Sequence, residues 1–246
     1  MHIFKTRPIP NNFFMAAMLL FALCIAVVAG AQPAGKLVPL NPPQPVENDG
    51  KIEILEFFSY GCGHCAHLEP LFEQWAKKQP VDVKIKRVPA GHGFESRGID
   101  SVPIFYTLEA MGLLEKLHQK LFDAANIENV ILGNPATLNK WLEKQGVDAK
   151  AYENMQKSFS IQNKIARAYK MTVDYKITGT PTLIVNGRIA VTVQGSEEGT
   201  LATIDQLIHD ARASNRTVAA ATTASTTATA ARPKKAVVKQ AVDQTK

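Results

Sequence analysis

The stretch Glu56–Leu68, EFFSYGCGHCAHL, places Cys62 and Cys65 two residues apart directly after an apolar run. The run Lys51–Phe58 is rich in β-branched and aromatic residues and ends before a glycine, which predicts a buried strand. After the motif, apolar residues recur at the spacing of one helix face, at Leu68, Leu71, Phe72 and Trp75. The cysteines therefore lie at a strand-to-helix junction, with the helix beginning around Cys62.

The rest of the chain supplies more strands and a long helical segment. Val81–Val88 alternates apolar and polar residues, which predicts a second strand. From about residue 95 to 175 the spacing of apolar residues is helical, with breaks at Asn134-Pro135 and Gly146.

A β-hairpin and a final helix follow the helical segment. Thr182–Val185 and Arg188–Val193 flank Asn186-Gly187, and Asn-Gly between two β-rich runs is a strong hairpin signal. A helix is predicted from about Gly199 to Ala213. The Pro-rich lead-in at 32–50 has room for a short edge strand near residues 37–40.

This order predicts an α/β protein with a thioredoxin-like fold and an inserted all-helical subdomain. The thioredoxin-like part comprises residues 32–94 and 176–213, and the insertion comprises residues 95–175. Residues 214–246 are rich in Ala and Thr, with several Lys and Arg, and lack the apolar content to fold alone, which predicts a disordered basic tail.

The first 31 residues are typical of an export signal. Lys5 and Arg7 precede an apolar run, and Ala29-Gly30-Ala31 offers a small-x-small cleavage pattern. We expect cleavage after Ala31, and Cys24 to be lost with the signal. The alternative is an uncleaved membrane anchor. We expect the protein to be exported to the periplasm.

The net charge of +6 comes from the two ends of the chain. Residues 32–213 contain 20 basic and 21 acidic residues. Nothing in this nearly neutral body indicates a nucleic-acid surface. We expect a monomer.

Four kinds of site could use Cys62 and Cys65. Haem attachment needs a histidine directly after the second cysteine, where the chain has Ala66. A closed zinc site needs four ligands, and no second ligand pair follows, so no metal or other cofactor is expected. A structural disulfide would close a very short loop and restrain the unfolded chain little. A redox pair in an oxidising compartment remains the favoured interpretation.

The redox interpretation gives each motif residue a role. Cys62 lies at the predicted helix start, where free N–H groups and the helix dipole favour a thiolate. His64, if protonated, adds positive charge beside that sulfur, although a surface histidine without a role is the alternative. Cys65 lies one turn into the helix, where it is shielded and suited to resolve a mixed disulfide.

Two further features fit a redox site. Glu56 lies in an apolar strand, where a carboxylate must be paired or protonated, and it could exchange a proton with Cys65. Lys84 or Lys86 is its expected partner, and the alternative is that Glu56 faces solvent. A cis bond at Thr180-Pro181 would turn the Thr180 backbone outward to pair with a substrate chain.

The chain resembles the DsbA family of periplasmic thiol:disulfide interchange proteins. The resemblance covers about residues 37–213 and rests on EFFSYGCGHC, Pro70 in the helix that it should kink, the helical insertion and ITGTPTLIVNGR (Ile177–Arg188). It implies that Cys62 is the exposed nucleophile, Cys65 the buried resolving cysteine and Thr180-Pro181 the cis-proline loop. It also implies that His64 tunes the thiolate and that Glu56 is the buried acid.

The resemblance further implies the partners. The substrates would be reduced, folding exported proteins, and a membrane oxidase of the DsbB type would restore the disulfide. One departure concerns Gly63, where the family usually has proline. Glycine at this position and Thr180 before the proline resemble disulfide isomerases. An isomerase or reductase on the same fold therefore stays an alternative to a thiol oxidase, and a peptide-binding chaperone that does not use its cysteines is a third.

Overall fold

The computed structural model describes residues 35–47 and 49–230, with side chains described as far as Asn215. Within them lies one mixed five-stranded sheet of order β1-β5-β4-β2-β3. Its strands are β1 (Gly35–Pro39), β2 (Ile52–Phe58), β3 (Val83–Pro89), β4 (Thr182–Val185) and β5 (Ile189–Val193). β2 pairs in parallel with β3, and the other three pairings, β2–β4, β4–β5 and β1–β5, are antiparallel. This is the thioredoxin-like fold predicted from the sequence.

Seven α-helices occur in the described part of the chain. Helix α1 (Gly63–Lys77) connects β2 to β3, and five helices lie between β3 and β4. These five are α2 (Ser101–Ala110), α3 (Leu114–Asn126), α4 (Pro135–Lys144), α5 (Ala149–Gln156) and α6 (Phe159–Asp174). Helix α7 (Glu197–Ala230) follows β5. No helix in these ranges is both long and apolar enough to cross a membrane.

The alternation of side chains along β2 directs residues to two different cores. Ile52 and Ile54 pack with residues of α1 and α7, such as Phe72 and Ile204. Leu55 and Phe57, which have the opposite parity along the strand, pack on the other face of the sheet with residues that include Val102, Ala168, Tyr175 and Ile184. Helices therefore cover both faces of the sheet, and β2 is buried along its whole length.

The hairpin between β4 and β5 forms at the predicted Asn-Gly. Asn186 and Gly187 both have positive φ, 50° and 63°, which suits a turn that matches the twist of the paired strands. A side chain at position 187 would also collide with the Gln44 carbonyl oxygen, 2.2 Å from an ideal Cβ. Glycine is therefore required there for two reasons.

Several predicted boundaries differ from the structure. Strand β3 begins at Val83 rather than Val81, and Pro70 lies inside a continuous helix α1. The predicted helix end at Ala213 is wrong, because α7 continues to Ala230. Ala is the strongest helix former and residues 214–232 contain neither Gly nor Pro, so this Ala-rich segment can still take helical backbone. The predicted signal at 1–31 and the end of the tail lie outside the described residues.

Candidate active site

Cys62 lies at the amino end of helix α1, held by the turn that follows β2. Its backbone N–H donates to the Ser59 carbonyl oxygen at 3.0 Å, and it is the N-cap residue of α1. Its sulfur accepts from the Cys65 backbone N–H at 3.5 Å. The turn needs glycine at position 61, where a Cβ would lie 2.2 Å from the Ser96 carbonyl oxygen. The predicted helix start at Cys62 is thus observed.

Hydrogen bonds favour the thiolate of Cys62. They lower the pKa of Cys62 from its ordinary 9.0 to about 5. The largest contribution comes from the Cys65 side chain. Smaller contributions come from the Thr180 side chain and from the backbone N–H groups of Cys65 and His64. Partial burial opposes this shift. The Cys62 thiol also donates to the Thr180 carbonyl oxygen at 3.2 Å, a contact that the thiolate loses. Cys62 is only partly exposed, and its sulfur carries the reactive charge at neutral pH.

Cys65 has the opposite character. It is completely buried, and both cysteines are free thiols in this structure. Burial, followed by the neighbouring Cys62 sulfur, raises the pKa of Cys65 well above its ordinary value. One cysteine is therefore an accessible thiolate and the other a shielded thiol, an arrangement suited to an asymmetric redox pair.

The Thr180-Pro181 loop lies against Cys62. Its peptide bond is cis, as the sequence interpretation expected. Thr180 and Pro181 line a groove of about 380 Å³ together with His64, His67, Thr192 and Val193. His64 is exposed, and the contribution to Cys62 named above comes from its backbone N–H. Among the described residues, no group of three or more His, Cys, Asp or Glu side chains could hold a metal ion.

Glu56 lies behind the cysteines and is 1% exposed. The expected partners Lys84 and Lys86 are wrong, because Glu56 pairs with Arg87, whose Nε is 3.3 Å from its Oε2. Glu56 and Arg87 are register partners across β2 and β3, so their side chains lie on the same face of the sheet. Lys86 lies on the other face and pairs with Glu53 at 2.8 Å.

Arg87 is shared among three carboxyl groups. It also contacts Glu69 and Glu73 of α1, each at 2.7 Å. Burial, and then the charge of Glu69, raise the pKa of Glu56 to about 8, although Arg87 opposes the shift. Glu56 therefore holds a proton at neutral pH. When Glu56 is ionised, its negative charge also contributes to the raised pKa of Cys65.

Comparison with known proteins gives this arrangement a family. Residues 99–208 match the family described as DSBA-like thioredoxin domain, and residues 40–129 match the thioredoxin family. The thiol:disulfide interchange protein DsbA of Bordetella parapertussis is 37% identical over 205 residues, which cover 82% of this chain and 97% of that protein. The DsbA of Pseudomonas aeruginosa is 38% identical over 210 residues, 82% of this chain and 98% of that protein.

The chain belongs to the DsbA family.

Solved structures agree with this membership. The crystal structure of Pseudomonas aeruginosa DsbA matches with a TM-score of 0.68 and 35% identity over 74% of this chain and 95% of that one. The oxidoreductase NmDsbA1 of Neisseria meningitidis matches with a TM-score of 0.66 and 30% identity over 76% of this chain and 97% of that one. As a DsbA family member, the protein is a thiol:disulfide oxidoreductase, and the predicted family and fold class are confirmed.

The position of Gly63 bears on how this DsbA-family site is tuned. Gly63 is the first residue of α1, and apart from its chain neighbours and the adjoining helix backbone no described atom lies within 4 Å of a Cβ built there. The N–H groups that favour the Cys62 thiolate belong to His64 and Cys65. Proline fits the first position of a helix. Glycine at position 63 is therefore not required by packing.

Sequence reasoning missed Arg87 and Glu69 in this site, and also His118, whose Nε2 lies 3.5 Å from Oε2 of Glu69. A signal for Glu69 was present, because it lies four residues after Cys65 and shares the buried face of α1 with it. Arg87 could be predicted as the partner of Glu56 only if the register of β2 against β3 were known, and the sequence does not show that register. His118 comes from α3 in the insertion, far from the motif in sequence.

A Thr180→Val variant is expected to raise the pKa of Cys62 from about 5 by about 1, because it removes a side-chain hydrogen bond that favours the thiolate. Thiolate absorbance of the reduced protein, followed against pH, measures this change. Thr192→Val is the matched control, since Thr192 lines the same groove but is not among the groups that shift the pKa of Cys62. An unchanged pKa in Thr180→Val would show that backbone donors and Cys65 set the ionisation without Thr180.

A Glu56→Gln variant is expected to be more stable than the wild type at pH 8, by about 1–2 kcal/mol. The folded pKa of Glu56, about 8, lies above its ordinary 4.5, so the wild type loses stability as pH rises between these values. Glutamine has no such titration. Urea unfolding at pH 4 and pH 8 measures the difference in unfolding free energy between Glu56→Gln and the wild type, which should be small at pH 4.

Glu73→Gln is the control, and its expected change in stability at pH 8 has the opposite sign. Although burial opposes it, contacts with Arg87 and Lys77 lower the pKa of Glu73, so its stabilising contribution is present at pH 8 and lost in acid. This variant should therefore be less stable than the wild type at pH 8. A Glu56→Gln protein that is also less stable at pH 8 would contradict a protonated Glu56.

Proposed function

We propose that the protein is an exported thiol oxidase that donates its Cys62–Cys65 disulfide to reduced, folding proteins. The observation that carries this proposal is the contrast between the two sulfurs. Hydrogen bonds and the helix N-terminus stabilise a thiolate at Cys62, while Cys65 is buried as a thiol. A stabilised Cys62 thiolate is a good leaving group, and this favours release of the disulfide to the substrate.

The reaction runs in two exchanges. A substrate thiolate attacks the Cys62 sulfur of the disulfide, which breaks the Cys62–Cys65 bond and forms a mixed disulfide. Cys65 leaves as a thiolate and takes up a proton, for which we propose Glu56 as the donor, because its raised pKa favours the protonated form and its charge acts on Cys65. A second substrate thiolate then attacks the substrate sulfur and releases the Cys62 thiolate. The substrate is oxidised and the protein is reduced by two electrons.

The groove beside Cys62 is the proposed substrate site. Thr180 lies directly before the cis proline and in contact with the Cys62 sulfur, so its backbone would pair with an extended substrate chain. His64 and His67 flank the same groove, and we propose His64 as the residue that adds positive charge there when protonated. No metal or cofactor enters this reaction.

Continued turnover requires an electron acceptor. We propose a membrane oxidase of the DsbB type as the partner that restores the disulfide, because the reduced protein must pass two electrons on. Residues 1–31 are proposed as an export signal cleaved after Ala31, which would place a monomeric protein in the periplasm.

The experiment that tests the function uses the chain from Gln32 with its disulfide formed. It is mixed with a reduced, unfolded protein whose activity returns only when its disulfides form. Stoichiometric loss of substrate thiols and gain of protein thiols is expected. A protein that rescues a substrate with scrambled disulfides, but does not oxidise the reduced one, would instead be an isomerase.

Residues beyond Asn215 are proposed to be dispensable for this chemistry. The Arg212 ion pair with Asp82 fixes α7 to the sheet domain near this end, and a chain ending at Asn215 retains it. We expect such a truncated chain to oxidise substrate at a rate within about twofold of the full chain, as a segment without a core contributes little to the site. A tenfold loss in a stopped-flow comparison would contradict this.

A further inference from the structure

A buried histidine from the insertion lies next to the carboxylate cluster behind the cysteines. His118 of α3 is 8% exposed and is surrounded by aromatic rings. Its ring centroid lies 5.2–5.8 Å from those of Phe58, Tyr60, Phe105 and Phe122. An imidazole in such a setting needs polar partners for both ring nitrogens.

Its two nitrogens face two different parts of the active site. Nδ1 lies 2.8 Å from the hydroxyl of Tyr60, which is two residues before Cys62. Nε2 lies 3.5 Å from Oε2 of Glu69. Neither Nε2 nor this oxygen makes a hydrogen bond to any described residue, so the 3.5 Å between them is an electrostatic contact rather than a hydrogen bond. The other oxygen of Glu69 contacts Arg87, which in turn pairs with Glu56.

The direction of these contacts follows from the Tyr60 hydroxyl. Burial raises the pKa of Tyr60 well above its ordinary value, so the phenol keeps a proton that it can donate to Nδ1, and the Glu69 carboxylate on the other side of the ring can only accept. A neutral imidazole that accepts at Nδ1 carries its hydrogen on Nε2. That N–H lies on the Glu69 side of the ring, where Oε2 of Glu69 is 3.5 Å from Nε2.

We propose that His118 is a positioning residue for thiol–disulfide exchange, which holds the Glu69 carboxylate against Arg87 and thereby sets the charge beside Glu56 and Cys65. The proposal rests on the proposed oxidase function. It gives the helical insertion a part in the chemistry, because the contact reaches from α3 to the residues behind the active-site helix.

The groups that face His118 are few. Tyr60 and Glu69 contact it directly, and Arg87 lies beyond Glu69. Glu115 of its own helix and Tyr106 of α2 line the groove of about 1210 Å³ that His118 and Glu69 also border. A Glu69 released by His118 could turn toward this groove. Glu56 would then lose a negative neighbour and gain a larger share of Arg87, and both changes lower its pKa.

Two substitutions separate the two sides of the ring. His118→Gln can still present an N–H where Nε2 was, facing Glu69. His118→Asn can retain only the contact on the Nδ1 side, with Tyr60. The readout is the titration of the Glu56 carboxyl carbon in reduced, ¹³C-labelled protein, assigned with Glu56→Gln, and circular dichroism checks that each variant is folded.

We expect the pKa of Glu56 to fall from about 8 by about 1 in His118→Asn and to stay within about 0.3 of the wild type in His118→Gln. The same fall should shift the pH profile of mixed-disulfide resolution by Cys65. An unchanged Glu56 titration in His118→Asn, or equal shifts in both variants, would overturn the proposal.

A measurement on the unaltered protein keeps the proposal testable if a variant does not fold. Imidazole ¹⁵N shifts should show the hydrogen of His118 on Nε2, and a hydrogen on Nδ1 would overturn the proposal. Wild-type oxidation of a reduced substrate is measured in the same preparation. If that activity is absent while the Glu56 titration still responds to His118, the proposed function fails and the coupling between these residues stands.

Discussion

Cys62→Ser is expected to abolish substrate oxidation, with a loss of more than ~1000-fold. Cys62 carries the stabilised thiolate and is the more exposed sulfur, so substrate thiols reach the disulfide there. A serine hydroxyl cannot form a disulfide and does not ionise near neutral pH. The rate of thiol loss from a reduced substrate measures the effect.

Cys65→Ser is the matched variant and should fail in a different way. It keeps the Cys62 thiolate but lacks the second sulfur, so a disulfide between Cys62 and a substrate cannot be resolved from within the protein. When Cys65→Ser meets a substrate that carries a disulfide, its Cys62 thiolate attacks one substrate sulfur and releases the other as a thiol, so we expect mixed disulfides to accumulate on a non-reducing gel, and none in Cys62→Ser. Mixed disulfides that form at Cys65 in Cys62→Ser would reverse the assigned roles.

The second large effect concerns the stability of the two redox forms. We expect the reduced protein to be more stable than the oxidised protein at pH 8, and the gap to shrink by about 2–3 kcal/mol between pH 8 and pH 5. The folded pKa of Cys62, about 5, lies below its ordinary 9.0. Its contribution is therefore complete above pH 9 and disappears as pH falls through 5. The magnitude is reduced from the full shift because Cys62 is partly exposed.

The disulfide stabilises the oxidised form only weakly, so it offsets little of the greater stability of the reduced form. It closes a loop of two intervening residues, which constrains the unfolded chain little. Denaturant unfolding of both redox forms at pH 5 and pH 8 gives the gap at each pH, and a Cys62→Ser, Cys65→Ser protein gives the pH dependence of all other groups. An oxidised form that is the more stable at pH 8, or a gap independent of pH, would contradict a stabilised thiolate.

Local sequence signals predicted most of the fold. Lys51–Phe58, the stripe Leu68–Trp75 and Asn186-Gly187 each define an element by a pattern that needs no distant partner. The cysteines and Thr180-Pro181 were also predictable, since each lies at the end of an element whose type was evident. The structure brings these residues together at one end of the sheet.

Other features depended on contacts that the sequence does not display. The partner of Glu56 is set by the register of β2 against β3, and a shift of one residue would have selected Lys86 instead of Arg87. His118 reaches the cluster only because α3 packs against α1. The end of α7 was missed because alanine-rich sequence is compatible with a helix even where no core is present.

The central claim is that the Cys62–Cys65 pair is poised to give its disulfide away. The most direct test is the equilibrium redox potential of the protein from Gln32 onward, measured at pH 7 against glutathione by the fraction of protein in each form. The stabilised Cys62 thiolate predicts a potential above about −180 mV, which is the value typical of protein disulfide isomerases. A potential of about −270 mV, as in thioredoxin, would contradict the claim and identify a reductase.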